Sequence, residues 1–324
     1  MNEFSESNDT STEALDSASE GMSLSDTLEG ADTAPEASES SGEFLPNGFA
    51  IEETDDFTIT DTNAPSLELP EVKEAAELRD EAIDRILEDD STYMPPDSLA
   101  RMEGRKESVS IVPYNGDGIY GTHHFQNGET TIELVCGTPE MMRVTALHEH
   151  EHMASYHSEV IEKHHNSTMY TVQVGLRDKE YMVDRDGEYL LCRDFGKNLN
   201  EGITQYLTED KLSVEELSMA RAMGVYPFAT EAAASLSEIL GDAVREDFYG
   251  GSANIRNAME TLAPGTYSKF AECLDKASES PDVAARREAM QEANKILNEL
   301  AERKAAENQH MEARNDGKHS VCLF

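Results

Sequence analysis

Five consecutive residues, His148-Glu149-His150-Glu151-His152, constrain this chain more than any other stretch, because they contain H-E-x-x-H. On a helix, positions i and i+4 share a face, so His148 and His152 would offer two imidazoles to one metal ion with Glu149 beside them. Two ligands do not complete a site, since a hydrolytic zinc centre takes three protein ligands and keeps one position open. The fold must therefore bring a third ligand to this helix from elsewhere in the sequence.

The flanking residues predict such a helix. Thr138-Pro139-Glu140 supplies a capping hydroxyl, a proline suited to the first turn and an acid near the positive end of the helix dipole. The helix is expected to run to about His157, with a buried side at Val144 and Leu147 and with His150 and Glu151 solvated. Ahead of it, residues 108–113, 119–126 and 130–136 are β-rich runs, and Asn127-Gly128 is the turn signal of a hairpin between the last two. Residues 169–174 and 181–193 predict further strands, the second folded at Asp186-Gly187. From residue 200 to about 315 the pattern is helical almost throughout, with a capping box at Ser213-Val214-Glu215-Glu216 and a charged, alanine-rich helix from about Asp282. The expected fold is α+β: a small, mostly antiparallel sheet packed on the HExxH helix, followed by a helical lobe.

Folded structure is expected to begin at residues 71–88, where Val72, Ala76, Leu78, Ile83 and Leu87 fall at helical spacing. Residues 1–70, rich in Ser, Thr, Glu and Asp, have the composition of a segment that cannot repay its ordering entropy, and are expected to form a disordered acidic tail. Of the formal charge of −40, residues 1–72 carry nineteen acids and no Lys or Arg, which leaves −21 for the rest. Such a polyanion repels phosphate and anionic headgroups, which argues against nucleic acid and membrane and for a neutral or basic peptide or protein partner. Residues 1–30 lack the basic start and apolar run of a secretory leader, and no stretch approaches the roughly 20 apolar residues of a membrane span. The expected address is cytoplasmic, with leaderless export giving the same pattern. Cys136, Cys192, Cys273 and Cys322 form no C-x-x-C pair, and Cys322 stands third from the end, where a prenylation box needs it fourth.

Three places offer a third ligand. His157 lies nine residues after His148, but the metzincin pattern needs a histidine at the tenth and a glycine at the seventh, where Ser158 and Ser155 stand. His123 and His124 precede the hairpin turn. Glu201 fits best: in Leu199-Asn200-Glu201-Gly202-Ile203-Thr204, Asn200 is suited to cap a helix and put the carboxylate in its first turn.

His148-Glu149-x-x-His152 with a downstream Asn-Glu-Gly-x-Thr helix start resembles the gluzincin zinc metallopeptidases, and its spacing is similar to that of the anthrax lethal factor catalytic domain and of bacterial mini-gluzincins. The resemblance covers about residues 108–265. It implies a zinc metallopeptidase domain at 71–275, between the tail at 1–70 and a charged C-terminal helix and tail at 276–324. It also implies one zinc on His148, His152 and Glu201, with Glu149 as general base in peptide-bond hydrolysis by an endopeptidase. A Tyr or His stabilises the oxyanion in similar peptidases; here Tyr226 is the first candidate and Tyr206 the second. Residues 130–135 are expected to form the edge on which an extended peptide lies. Gluzincins often carry an aspartate four residues after the ligand glutamate, and this chain has Gln205 there. Two other classes share some of these features: a non-catalytic metal-binding module built on the eight histidines between His123 and His165, and an interaction factor using the acidic tail.

Overall fold

Helix α1 (Val72–Asp90) begins where the apolar spacing puts it and buries Ala75, Leu78, Ala82, Ile83 and Ile86 along one stripe. The computed structural model describes residues 72–114, 119–126, 129–163, 168–183 and 189–319. The acidic region 1–70 and the turns Asn127-Gly128 and Asp186-Gly187 lie outside these. Within them the fold is α+β, with two small sheets beside a large helical part.

After α1, a short 3-10 turn (Ser91–Tyr93) leads to α2 (Pro96–Gly104), a helix with prolines at its entry. The first sheet holds β1 (Ser108–Val112), β2 (Gly121–Gln126) and β3 (Glu129–Val135) in the order β1-β3-β2. β2 runs antiparallel to β3, with His123 opposite Ile132, and β1 runs parallel to it, with Ile111 opposite Leu134. The strand expected at the edge, β3, is therefore the central one. Its alternating Ile132 and Leu134 are buried, whereas β2 carries Gly121 and His123 and is left at the rim.

Helix α3 (Pro139–Ala154) opens as predicted, with Thr138 Oγ1 accepting from the Met141 N–H at 3.3 Å. It stops three residues short of His157 because distant groups take its last carbonyls. Arg101 of α2 donates to Met153 O (2.8 Å) and Ser155 O (2.7 Å), and Ser155 itself turns extended. His157 then starts β4 (His157–Lys163), a strand that the residue pattern did not announce. β4, β5 (Thr168–Val174), β6 (Arg177–Val183) and β7 (Tyr189–Phe195) form a second, antiparallel sheet in sequence order. The folded run expected at 181–193 is the end of β6 and most of β7, with β6 starting earlier, at Arg177.

The helical lobe comprises α4 (Lys197–Asp210), α5 (Val214–Met223), α6 (Pro227–Leu240), α7 (Ala243–Gly250), α8 (Asn254–Leu262), α9 (Thr266–Glu279) and α10 (Val283–His319). The capping box of α5 forms, Ser213 Oγ accepting from Glu216 N–H and Glu216 Oε2 from Ser213 N–H. Gly202 lets α4 pass against α6, since a Cβ there would strike the Ala229 carbonyl oxygen. Ala293, Ile296, Leu297 and Leu300 of α10 belong to the same core as α3 and α4. No helix of the described residues is long and apolar enough to cross a membrane.

Candidate metal centre

One turn apart on α3, His148 and His152 face α4, and Glu201 of α4 faces them. Glu201 Oε2 lies 3.2 Å from His152 Nε2 and 3.5 Å from His148 Nε2. Ligand atoms of the three buried side chains lie within 4.8 Å of one another, an arrangement that could hold a metal ion. Burial opposes the charge on Glu201, yet the two imidazoles outweigh it and hold the carboxyl well below the usual range. Asn200 does not cap this helix: α4 starts at Lys197 after Gly196, and Glu201 stands in its second turn. Asn200 Oδ1 instead accepts from the Leu176 N–H at 2.9 Å, tying α4 to the β5–β6 turn.

The outer nitrogens of both rings have partners that fix what the inner ones can do. Gln205 Nε2 donates to Glu209 Oε1 (3.2 Å), which turns Gln205 Oε1 towards His148 Nδ1 at 3.0 Å. An amide oxygen only accepts, so Nδ1 carries the proton and Nε2 of the neutral ring presents a lone pair to Glu201. Two acceptors facing each other in a buried site require a cation between them, a proton or a metal. Around His152 Nδ1, Thr204 Oγ1 and Asn200 Nδ2 both lie at 3.3 Å. Thr204 gives its own proton to Asn200 O (2.8 Å) and so accepts from Nδ1, while Asn200 offers a donor. The ring satisfies either tautomer, and a cation at Nε2 selects the one with its proton on Nδ1. Gln205, the departure from the gluzincin pattern, is thus the side chain that orients His148.

Glu149 lines the same cavity, about 690 Å³ in volume, and no hydrogen-bond donor of the described residues reaches its carboxylate. Burial pushes its carboxyl up to about 7; His148 pulls it down, and Glu201 adds to the rise. Gly121 of β2 makes room for it, because a Cβ there would stand 2.7 Å from Glu149 Oε1. Tyr226, at the entry of α6, stacks its ring on His148 at 6.4 Å and 12° and also lines the cavity. Its φ of 50° is left-handed, a costly conformation for a tyrosine. Burial, then Glu201 and Glu149, keep its hydroxyl protonated.

The other expected residues divide. Tyr206 is turned away, its hydroxyl donating to Ser237 Oγ at 3.2 Å. His123 and His124 line the cavity outside the ligand group, and the His157 ring donates through Nε2 to His152 O at 2.9 Å. His150 and Glu151, expected to be solvated, are instead fully buried. Glu151 joins a network behind the site. Lys211 Nζ stands 2.8 Å from Glu151 Oε1 and 2.5 Å from Asp90 Oδ2, the Tyr249 hydroxyl lies 2.8 Å from both acids, and Arg245 also pairs with Asp90. This network fastens α3 to the end of α4, and residues of α1 and α7 complete it. Nothing in the local sequence foretold it, because each partner comes from a different element.

Comparison with protein-family models, with curated proteins and with solved structures finds no match to this chain.

Proposed function

We propose that this chain is a zinc-dependent endopeptidase. The observation that carries the reading is the convergence of two imidazole Nε2 atoms and one carboxylate, with the His148 proton held outward by Gln205, at the floor of a peptide-sized cavity that also holds Glu149. Two nitrogens and one oxygen at this spacing suit zinc, and His148, His152 and Glu201 would hold it. Bound there, zinc supplies Lewis acidity to a substrate carbonyl and makes water acidic enough to give up a proton near neutral pH.

Glu149 takes that proton. Its carboxylate is unencumbered and buried, and Gly121 lets it sit against the sheet. The same carboxyl then returns the proton to the leaving amine. Tyr226 keeps its hydroxyl proton and, stacked on His148, is placed to donate to the oxygen that gains charge as the carbonyl is attacked. The substrate backbone pairs with β2, an edge strand with Gly121, Thr122, His123, His124 and Phe125 on the cavity wall; such pairing fixes a peptide without reading its sequence.

The test is cleavage of a mixed peptide library by the zinc-loaded full chain, read by mass spectrometry. Cleavage within peptides that falls at least about a thousandfold in Glu149→Gln, with zinc content kept, supports the reading. Equal cleavage by both proteins, or none by the loaded parent, returns the centre to a metal-binding role without hydrolysis.

A further inference from the structure

Opposite the metal centre, the cavity wall is one face of a β-hairpin. β5 and β6 pair Val174 with Arg177, Val172 with Lys179 and Tyr170 with Tyr181, and all six line the cavity. This face carries two cations and two anions: Glu159 of β4, opposite Val172, accepts from the Tyr170 hydroxyl at 2.9 Å, and Asp194 of β7 stands opposite Lys179 in the strand register. The second of these, Asp194, is the one Arg177 reaches. Arg177 takes both of its oxygens, Nε on Oδ1 at 2.8 Å and Nη2 on Oδ2 at 2.5 Å. Lys179 is left, half-buried, with no carboxylate of the described residues within 4.0 Å. Glu201 shares the cavity and favours the Lys179 charge only from beyond ion-pair distance.

A half-buried ammonium with no ion pair inside 4.0 Å is costly: burial, then Arg177, disfavour its charge, and Asp194 and Glu201 offset this only in part, from beyond that distance. In a chain of formal charge −40 with acids to spare, the fold pairs Arg177 and leaves Lys179 facing the cleft. We propose that Lys179 anchors a carboxylate of the substrate, so that the cleft selects peptides with a carboxylate close to the bond to be cut. That carboxylate is either an Asp or Glu side chain or the chain's own C-terminus. The proposal rests on the peptidase reading and adds a substrate class to it. Long-range repulsion from the polyanionic body disfavours acidic peptides as a whole, so the favoured substrate is neutral or basic overall with one carboxylate at the wall. Val172 and Val174 beside Lys179 offer apolar contact to the stem that carries it.

The experiment measures fluorescence anisotropy of short fluorescein-labelled peptides on the zinc-loaded full chain carrying Glu149→Gln, which leaves the peptides uncut. Four forms of one neutral-to-basic sequence are compared: C-terminal acid or amide, each with one internal Glu or Gln. We expect a carboxylate form to bind about tenfold tighter than its uncharged twin, as a charge-assisted contact of this exposure gives. Adding Lys179→Gln should bring that ratio near unity. Asp194→Asn, which releases Arg177, should raise it. Dependence on the C-terminal acid identifies a carboxypeptidase cleft, and dependence on internal Glu identifies acidic side-chain specificity. Equal affinity for all four forms, or a ratio unchanged in Lys179→Gln, overturns the proposal. The Glu149 parent is run on the same peptides. Carboxylate-dependent binding without cleavage keeps the anchor and removes hydrolysis, whereas cleavage without carboxylate preference does the reverse.

Discussion

Lys211→Met should be among the most damaging single substitutions outside the metal centre. Lys211, Asp90 and Glu151 have side chains at most 1 % exposed, and with Arg245 they form a network of two acids and two bases. Lys211 keeps its charge there: burial opposes it, and Glu151 and Asp90 more than compensate. Methionine keeps the length of the stem and removes the charge, so one buried carboxylate loses its cation. The group can escape only by taking up a proton, and holding a carboxyl protonated above its unfolded pKa of about 4.3 costs about 1.4 kcal/mol per pH unit. That sets a ceiling of about 4 kcal/mol at pH 7, within the range seen when buried ion pairs are broken, and about 1.5 kcal/mol at pH 5.5. Urea unfolding of chelator-treated parent and variant at both pH values measures the two differences. The variant should recover relative to the parent as pH falls, and Lys211→Met with Glu151→Gln should regain most of the loss at pH 7. A difference below about 1 kcal/mol at pH 7, or one that does not change with pH, would refute the reasoning.

Other expectations follow from single contacts. Gln205→Leu removes the acceptor on His148 Nδ1 and should weaken zinc affinity about 10- to 100-fold in competition with a chromophoric chelator, without unfolding the chain. Gly121→Ala drives a methyl against Thr145 and the Glu149 carboxylate, so peptide cleavage should fall at least about tenfold with zinc content unchanged; equal kcat would remove the close approach as a cause. Glu216 is held down at about 2: burial opposes its charge, but Arg85 and the Ser213 N–H overcome it. Because the folded pKa is depressed, its stabilisation is full above about 4.5 and disappears as pH falls towards about 2. The gap between chelated parent and Glu216→Gln, at most about 3 kcal/mol, should close over that window in urea titrations, and a constant gap would contradict the assignment.

The parts of the site readable from sequence are those whose causes are local. Thr138, Pro139 and the i,i+4 histidines belong to one helix and its cap, so cap, helix and paired candidate ligands follow from spacing alone. Glu201 was readable as a carboxylate near a helix start, although the helix begins earlier and Asn200 spends its side chain on Leu176 and near His152 rather than on a cap. What stayed hidden depends on partners far away in the chain. The end of α3 is set by Arg101, the burial of Glu151 by Asp90, Lys211 and Tyr249, and the central place of β3 by the parallel return of β1. Gln205 broke the resemblance in sequence because its role appears only once Glu209 has oriented its amide towards His148.

The central claim is that His148, His152 and Glu201 hold one zinc ion, and elemental analysis of the purified full chain tests it most directly. About one zinc per chain in the parent, with nearly all of it lost in both His152→Ala and Glu201→Ala, is the predicted result. A parent that keeps no metal after reconstitution, or variants that keep as much as the parent, would contradict the three-ligand centre and the chemistry built on it.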